Sequence, residues 1–204
     1  MLTPSLPSML EFLFKERHRA CYLKALALLH TLDVKKIVEL GVFRGKNAKK
    51  LRALFPKAHL YLVDPWRPDP TYLAKGGAVA ADPALYQEAF SQVTSFFRDD
   101  PQVTLLRATA KEAAPTLPDN LDLVFIDANH AYDAVKATIL TYFPKLSSRA
   151  ILSGHNYRDP NLPGVTQAVD ELFNQLHYTG QDRVWAVVHT KSESHRRGLE
   201  PLTT

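Results

Sequence analysis

Short apolar segments alternate with segments of helical periodicity along most of this chain of 204 residues. Six apolar segments have the length of a β-strand, and they span residues 37–41, 60–64, 103–106, 121–127, 150–154 and 184–189. Between them, apolar residues recur at helical spacing, most clearly over residues 165–176. Because parallel strands need long crossover connections, nearly continuous apolar strands separated by helices indicate a parallel sheet covered on both faces. We therefore predict a doubly wound, Rossmann-like α/β fold with helices on both faces and an antiparallel last strand.

The length of the chain and the extent of this pattern favour a single domain over residues 1–191. Apolar residues also recur at helical spacing before the first strand, at Leu10, Leu13, Phe14, Cys21, Ala25, Leu28 and Leu29. They predict a long amphipathic helix within an N-terminal helical cover, residues 1–32, whose exposed face we expect to form a homodimer contact. Residues 192–204 are polar and basic, so we expect a flexible tail there.

The composition excludes several classes of protein. With 46% hydrophobic residues, 8 Gly and 14 Pro, the chain is neither collagen-like nor of low complexity. Its formal charge of +4 is too small an excess to indicate a nucleic-acid partner. No segment reaches the ~18 uncharged apolar residues that a membrane span needs. Cys21 is the single cysteine, which excludes an intramolecular disulfide and a cysteine-based zinc site. We expect a cytoplasmic protein with no membrane partner.

A turn that contains two glycines follows the first predicted strand and leads directly into a helix. It reads Glu-Leu-Gly-Val-Phe-Arg-Gly from Glu39 to Gly45, and the second predicted strand ends in Asp64. Ligands of doubly wound sheets bind at the carboxyl ends of the strands, where an acid can accept hydrogen bonds from a ribose diol. The turn lacks the third glycine of a dinucleotide-binding turn, and its acid suits a cationic amino-acid group better than a pyrophosphate. These features predict a nucleoside pocket.

Two later segments extend this pattern. Residues 121–132 read LDLVFIDANHAY, residues 153–157 read SGHNY, and Pro163, Gly164 and Val165 begin the next helical segment. Together with the E-x-G-x-x-x-G turn, these segments resemble the class I methyltransferases that use S-adenosylmethionine (SAM), in particular their small-molecule O-methyltransferase subgroup. The resemblance covers about residues 36–188. It implies transfer of a methyl group from SAM to a small-molecule acceptor, most often at a hydroxyl.

The resemblance also implies a set of cofactor-binding residues. They are Glu39, Gly41, Phe43, Arg44, Gly45, Asp64, Trp66, Thr109, Ala110 and Asp127. The turn residues would line the methionine and ribose side of SAM, Asp64 would bind the ribose hydroxyls, and Thr109 and Ala110 would contact the edge of the adenine. For Trp66 two interpretations stay open, which are stacking on the adenine and packing within its own loop.

The resemblance further implies a catalytic base. His130 lies three residues after Asp127, where this subgroup places a histidine. An imidazole that titrates near neutral pH can take the proton of the acceptor as the methyl group is transferred. The other interpretation is a histidine that caps the helix beginning near Ala131. The position at the end of a strand favours catalysis by His130 together with Asp127.

Members of the subgroup often bind a divalent cation through the acid of the fourth strand and two residues after the fifth strand. The corresponding residues here are Asp127, His155 and Asn156. Hard cations such as Mg²⁺ prefer carboxylate and carbonyl oxygens, and this set contains a single carboxylate. The sequence leaves open whether the site binds such a cation or whether His155 and Asn156 orient the acceptor by hydrogen bonds.

Two other functions stay open at this point. A nicotinamide-dependent oxidoreductase is compatible with Asp64, although the turn lacks the third glycine. A protein of this fold that only binds or scaffolds is also compatible, because a fold does not establish activity. We expect the acceptor pocket between the N-terminal helix, residues 65–81 and residues 158–163. The arginines that would meet an acidic substrate there are Arg17, Arg19, Arg67 and Arg158.

Overall fold

A computed structural model describes residue 11, residues 15–69 and residues 82–190 of the chain. These residues form a seven-stranded sheet. Its strands are β1 (Lys36–Leu40), β2 (His59–Val63), β3 (Val103–Leu106), β4 (Leu121–Ile126), β5 (Leu146–Gly154), β6 (His177–Thr179) and β7 (Val184–Thr190). The strand order is β3-β2-β1-β4-β5-β7-β6, in which β1 to β5 are parallel and β7 is antiparallel to both of its neighbours. The predicted doubly wound sheet and its antiparallel last strand are therefore confirmed.

Six α-helices accompany the sheet within the described residues. They are α1 (Arg19–Leu29), α2 (Lys46–Leu54), α3 (Pro83–Phe97), α4 (Ala110–Ala113), α5 (Tyr132–Tyr142) and α6 (Pro163–Leu172). Local sequence sets where α3 begins, because the Asp82 carboxylate accepts the Ala84 N–H at 2.8 Å and Pro83 occupies the first turn. Two single turns of 3₁₀ helix, Ala114–Thr116 and Phe143–Lys145, precede β4 and β5.

The two faces of the sheet bury two separate apolar layers. On one face, α1, α2 and α3 pack Leu23, Leu51 and Val93 against strand residues that include Ile37 and Phe125. On the other face, α5 and α6 cover the side chains that point the opposite way along the same strands, such as Val38 and Val124. This alternation along β1 and β4 is the reason that both strands read as continuous apolar segments. None of the helices in the described residues is both long and apolar enough to cross a membrane.

The structure departs from the predicted elements at several places. Strand β5 begins at Leu146, ahead of the predicted segment 150–154. Strand β6 was not predicted, because its three residues carry no apolar alternation. Helix α1 begins at Arg19 and does not continue through the preceding residues, since Arg17 has a φ of 48° and His18 has an extended backbone. The His18 ring caps the helix by accepting the Ala20 N–H at 3.2 Å. Leu10, Leu13 and Phe14, most of the 65–81 loop and the predicted tail at 192–204 lie outside the described residues.

Candidate functional site

The carboxyl ends of β1 and β4 lie close together at Gly41. Its N–H donates to the Val63 carbonyl at 2.9 Å, and the Asp127 N–H donates to the Leu40 carbonyl at 2.7 Å. Gly41 has a φ of +89°, and a Cβ atom on it would lie 2.1 Å from the backbone oxygen of Asp127. Gly45 begins α2 with a φ of +71°. The order of β1 and β4 in the sheet thus places the glycine turn directly beside Asp127, as the sequence predicts for a ligand site.

Asp64 is the acceptor that holds this turn in place. Its Oδ2 accepts the N–H groups of Val42 and Phe43, both at 2.8 Å, and its Oδ1 accepts the Trp66 N–H at 2.7 Å. The side chain is buried. Asp64 therefore has a structural role, which is to accept three backbone N–H groups. The sequence did not reveal this role, because an acid at the end of β2 suits a ribose equally well. The ribose contact of Asp64 stays a prediction.

Trp66 is a core residue. It is 1% exposed, its indole N–H donates to the Phe43 carbonyl at 2.9 Å, and its ring packs on Phe90 with a centroid distance of 4.9 Å. A ring without an exposed face cannot stack on a ligand unless it moves. Of the two interpretations of Trp66, the structure therefore supports packing and not stacking on adenine.

Phe43 and Arg44 lie on the outer surface of the same turn. The Phe43 ring is 37% exposed and meets the Tyr86 ring edge-on at 5.9 Å. The Arg44 guanidinium lies 5.3 Å from the centre of the Phe43 ring and pairs with Glu88 at 3.8 Å. An exposed aromatic ring beside the turn offers a flat surface of the kind that Trp66 does not.

Glu39 is a buried acid with an unused oxygen. It is 1% exposed, its Oε1 accepts the Asn47 amide at 3.3 Å, and its Oε2 has no hydrogen-bond partner within the described part of the chain. Burial raises the pKa of Glu39 to about 8. An unsatisfied buried carboxylate oxygen is costly, and a ligand that brings a positively charged donor would satisfy it. The amino group of SAM is such a donor. The two glycines leave the backbone of the turn without side chains, so that the ligand can come close to it. These residues therefore fit the cofactor.

Thr109 and Ala110 follow β3, which is separated from β1 by β2. Thr109 begins α4 in a capping box with Glu112, in which each side chain accepts the backbone N–H of the other. The Ala110 carbonyl accepts the Tyr142 hydroxyl at 2.8 Å. Both residues lie at the predicted edge of the sheet, and their contact with adenine stays a prediction.

The Asp127 carboxylate is the centre of the charged cluster at this edge. Its Oδ1 lies 3.3 Å from His130 Nε2 and 3.4 Å from His155 Nδ1, and its Oδ2 pairs with the Arg19 guanidinium. Burial alone would raise the pKa of Asp127, but the hydrogen bonds from both histidines and the charge of Arg19 hold it well below its usual range. Asp127 is therefore ionised at neutral pH.

His130 faces Asp127 and does not cap α5. Its Nε2 atom is the one that faces the carboxylate, and its side chain is 14% exposed. The Ala131 N–H at the start of α5 donates instead to the Asn129 side-chain oxygen at 2.9 Å. A small cleft beside His130 is lined by Ile126, Ala128, Asn129, His130, Val135, His155, Val165 and Trp185. The imidazole thus lies between an anion and a largely apolar cleft, which is a suitable place for a general base.

Sequence reasoning did not predict that two further residues belong to this cluster. The guanidinium of Arg19 comes from the first turn of α1, and Asp182 comes from the turn between β6 and β7. Asp182 Oδ2 accepts the Arg19 backbone N–H at 3.0 Å and its Nε–H at 3.3 Å, and Asp182 Oδ1 lies 3.3 Å from His155 Nε2. Burial opposes protonation of His155, but its bonds to Asp127 and Asp182 outweigh burial and raise its pKa to about 9.

The predicted metal ligands are not arranged as a ligand set. The Asn156 amide donates to Asp159 at 3.3 Å, and the two ring nitrogens of His155 each face a carboxylate. A protonated imidazole has no lone pair for a metal. No group of three or more His, Cys, Asp or Glu residues in the described ranges has the arrangement of a metal site. The residues present do not fit a divalent cation, and the metal prediction for Asp127, His155 and Asn156 is not supported.

Known proteins resemble the chain at several levels. An uncharacterized protein y4gI of Sinorhizobium fredii is 28% identical over 134 residues, which is 63% of this chain and 14% of the relative, so the chain spans about a seventh of that protein. The solved O-methyltransferase NovP has a TM-score of 0.59 and 20% identity, with 91% of this chain and 79% of NovP covered. CalS11, a calicheamicin methyltransferase, has a TM-score of 0.57 and 17% identity over 92% and 94% of the two chains.

A third structure shows that this fold also supports another reaction. Spermidine synthase from Thermotoga maritima has a TM-score of 0.50 and 12% identity, with 78% of this chain and 54% of the synthase covered. The structural likeness alone therefore establishes the fold. The family described as "Methyltransferase domain" matches residues 38–157, which include the glycine turn, Asp64, Asp127, His130 and His155. The chain belongs to this methyltransferase family, whose methyl donor is SAM.

Proposed function

We propose that this protein transfers the methyl group of SAM to a hydroxyl of a small molecule, with His130 as the general base. The observation that carries the proposal is the position of His130, whose imidazole is bound to the ionised Asp127 at the end of β4 and borders a cleft. The same end of the sheet holds the turn from Glu39 to Gly45. Donor and base would therefore meet at one edge of the sheet.

Each side chain has a distinct part in the proposed reaction. SAM supplies an electrophilic methyl group on a sulfonium. Glu39 offers its unused oxygen to the amino group of the donor, and Gly41 and Gly45 keep the backbone of the turn clear of side chains. His130 takes the proton of the acceptor hydroxyl, and Asp127 stabilises the resulting imidazolium because it is already an anion. General-base assistance of this kind contributes roughly 10²–10⁴ in rate.

The choice of a hydroxyl acceptor is supported by the structural neighbours. NovP is described as an O-methyltransferase and CalS11 as a TDP-rhamnose 3'-O-methyltransferase. Two of the four arginines predicted to bind an acidic acceptor already have partners. Arg19 is bound to two carboxylates, and the Arg158 guanidinium lies over the Tyr157 and Tyr178 rings. We therefore favour a hydroxyl compound that is recognised at the cleft without an ion pair to Arg19 or Arg158.

The substitution His130→Asn tests the proposal, with His59→Asn as the matched control. His59 binds Thr104 at 2.8 Å and lies at the amino end of β2, on the opposite edge of the sheet. The assay is transfer of labelled methyl groups from SAM to catechols, hydroxybenzoates and TDP-rhamnose. We expect His130→Asn to reduce turnover by roughly 10²-fold or more. Affinity for S-adenosylhomocysteine (SAH), the reaction product, should change less than twofold, and the control should keep both. Unchanged turnover in His130→Asn would remove His130 from the mechanism.

Calorimetric titration with SAH and with NAD⁺ distinguishes the other two functions. We expect micromolar SAH binding and no response to NAD⁺. Binding of NAD⁺ without SAH would indicate the oxidoreductase, and SAH binding without transfer to any acceptor of the panel would favour a binding or scaffolding protein. A cytoplasmic location and a homodimer stay predictions, and gel filtration tests the second.

A further inference from the structure

Four charged side chains from four separate segments form a closed ring at the proposed active site. Arg19 pairs with Asp127, Asp127 with His155, His155 with Asp182, and Asp182 with Arg19. Their side chains are 16% to 27% exposed. The ring joins the start of α1, the end of β4, the residue after β5 and the turn before β7. Two carboxylates thus face a guanidinium and an imidazole, so each carboxylate of the ring has its partners within the chain.

The Arg19 guanidinium is held in this ring from three directions. Its Nη1 contacts Asp127 Oδ2, and its Nε lies 3.3 Å from Asp182 Oδ2. The guanidinium carbon lies 5.9 Å from the centre of the Phe125 ring, within the range of a cation–π contact. The Arg19 backbone N–H, one of the donors without a helical partner at the start of α1, also binds Asp182 at 3.0 Å. The helix start and the guanidinium are therefore fixed by the same carboxylate.

This geometry leaves no ligand set for a divalent cation. Asp127 uses Oδ1 for the two histidines and Oδ2 for Arg19, and His155 uses both ring nitrogens. A divalent cation at Asp127 would have to displace either the Arg19 guanidinium or a histidine ring, and it would lie close to the group that remained. We propose that Arg19 takes the place of a divalent cation at Asp127, so that methyl transfer by this protein is independent of metal and depends on the first helix. This inference rests on the proposed function.

Arg19 would act as a positioning residue. It touches Asp127, which touches His130, so its charge and contact fix the carboxylate that orients the base. Loss of Arg19 should therefore lower kcat and leave the SAH site, which lies on the side of the Glu39 turn, largely intact. The effect also requires α1 to stay docked, which makes the N-terminal segment part of the catalytic apparatus and more than a cover.

The first test measures metal binding directly. The protein, dialysed against EDTA, is titrated with MnCl₂ alone, followed by electron paramagnetic resonance and calorimetry, and SAH affinity is measured with EDTA and with MgCl₂. We expect no saturable Mn²⁺ binding at micromolar concentration and SAH affinities that agree within twofold. Stoichiometric micromolar Mn²⁺ binding that is lost in Asp127→Asn would overturn the inference. Absence of SAH binding in either buffer would instead contradict the proposed function, so the two failures are distinguishable.

The second test compares Arg19→Ala with Arg52→Ala. Arg52 is a matched control, because its Nε binds Asp100 at 2.6 Å with side chains 20% and 23% exposed, away from the proposed site. We expect Arg19→Ala to lose at least tenfold in kcat, to keep SAH affinity within twofold, and to recover activity with millimolar guanidinium chloride. Arg52→Ala should keep its kcat and show no response to guanidinium. A purely structural Arg19 would give loss without guanidinium rescue, and unchanged kcat in Arg19→Ala would also overturn the inference.

Discussion

Substitution of Gly41 by alanine should damage both stability and cofactor binding. The new Cβ would lie 2.1 Å from the Asp127 oxygen and 2.5 Å from the Asp127 carbonyl carbon, and these are backbone atoms of a central strand end that cannot rotate away. The φ of +89° at Gly41 adds strain for any residue with a side chain. Strain of this kind costs about 1–3 kcal/mol and overpacking a further 1–3 kcal/mol. We expect the free energy of unfolding to fall by about 3–4 kcal/mol.

Two other glycines calibrate this prediction. A Cβ on Gly180 would meet nothing nearer than the Tyr178 ring at 3.9 Å, so Gly180→Ala should change stability by less than about 1 kcal/mol. A Cβ on Gly45 would lie 3.0 Å from a Val93 methyl group, which can move, at a φ of +71°. Gly45→Ala should therefore fall between the two, with a loss of about 1–2 kcal/mol.

Urea denaturation followed by circular dichroism measures the free energy of unfolding of the three variants, and calorimetry measures their affinity for SAH. Gly41→Ala should bind SAH at least tenfold more weakly where it remains folded, because the turn beside Asp127 has to move. Gly180→Ala should bind as the unaltered protein does. The reasoning would be refuted by a Gly41→Ala protein with an unfolding free energy within about 1 kcal/mol of the parent and an unchanged SAH affinity.

Three further substitutions test individual contacts of the site. Asp64→Asn should lower the free energy of unfolding, measured in urea, by about 2–3 kcal/mol, because the amide has one acceptor oxygen for three backbone N–H groups. Asp119→Asn, which alters an exposed ion pair, should lower it by less than about 1 kcal/mol. Trp66→Phe should lower stability by about 1–3 kcal/mol and leave SAH affinity within twofold. Unchanged stability with weaker SAH binding would instead support stacking of Trp66 on adenine. The pKa of His155 is raised from 6.5 to about 9, so its stabilising contribution, about 3 kcal/mol, is complete below pH 6.5 and is lost as pH rises through 9. His155→Gln, measured by urea denaturation from pH 6 to pH 10, should lack this loss, and equal slopes for the two proteins would contradict the assigned pairing.

The sequence was sufficient to predict the sheet and the edge at which the site lies, because both follow from short-range patterns. Continuous apolar segments identify strands buried on both faces, and the residues that follow such strands meet at one edge of a parallel sheet. The pattern did not predict strand β6, because its three residues, which start at His177, show no alternation of apolar and polar side chains. The pattern also did not predict the break before α1, because the spacing of apolar residues does not indicate the positive φ at Arg17.

The chemical state of the site was less accessible, because the partners of each side chain lie far apart in the chain. Asp64 was identified as an acid at a strand end, yet its oxygens face backbone donors of the turn that precedes it by 21 and 22 residues. Asp182 meets Arg19 across 163 residues, through a hairpin that was not predicted.

Residue identity therefore left open whether Asp127 and His155 hold a cation or whether His155 orients the acceptor. In the structure Asp127 pairs with the Arg19 guanidinium, and both ring nitrogens of His155 face carboxylates. Strand periodicity determines where such groups converge, and the loops and the first helix determine which of them carry charge. A substitution in α1 should consequently alter catalysis without altering the sheet, whereas a substitution at Gly41 should alter both.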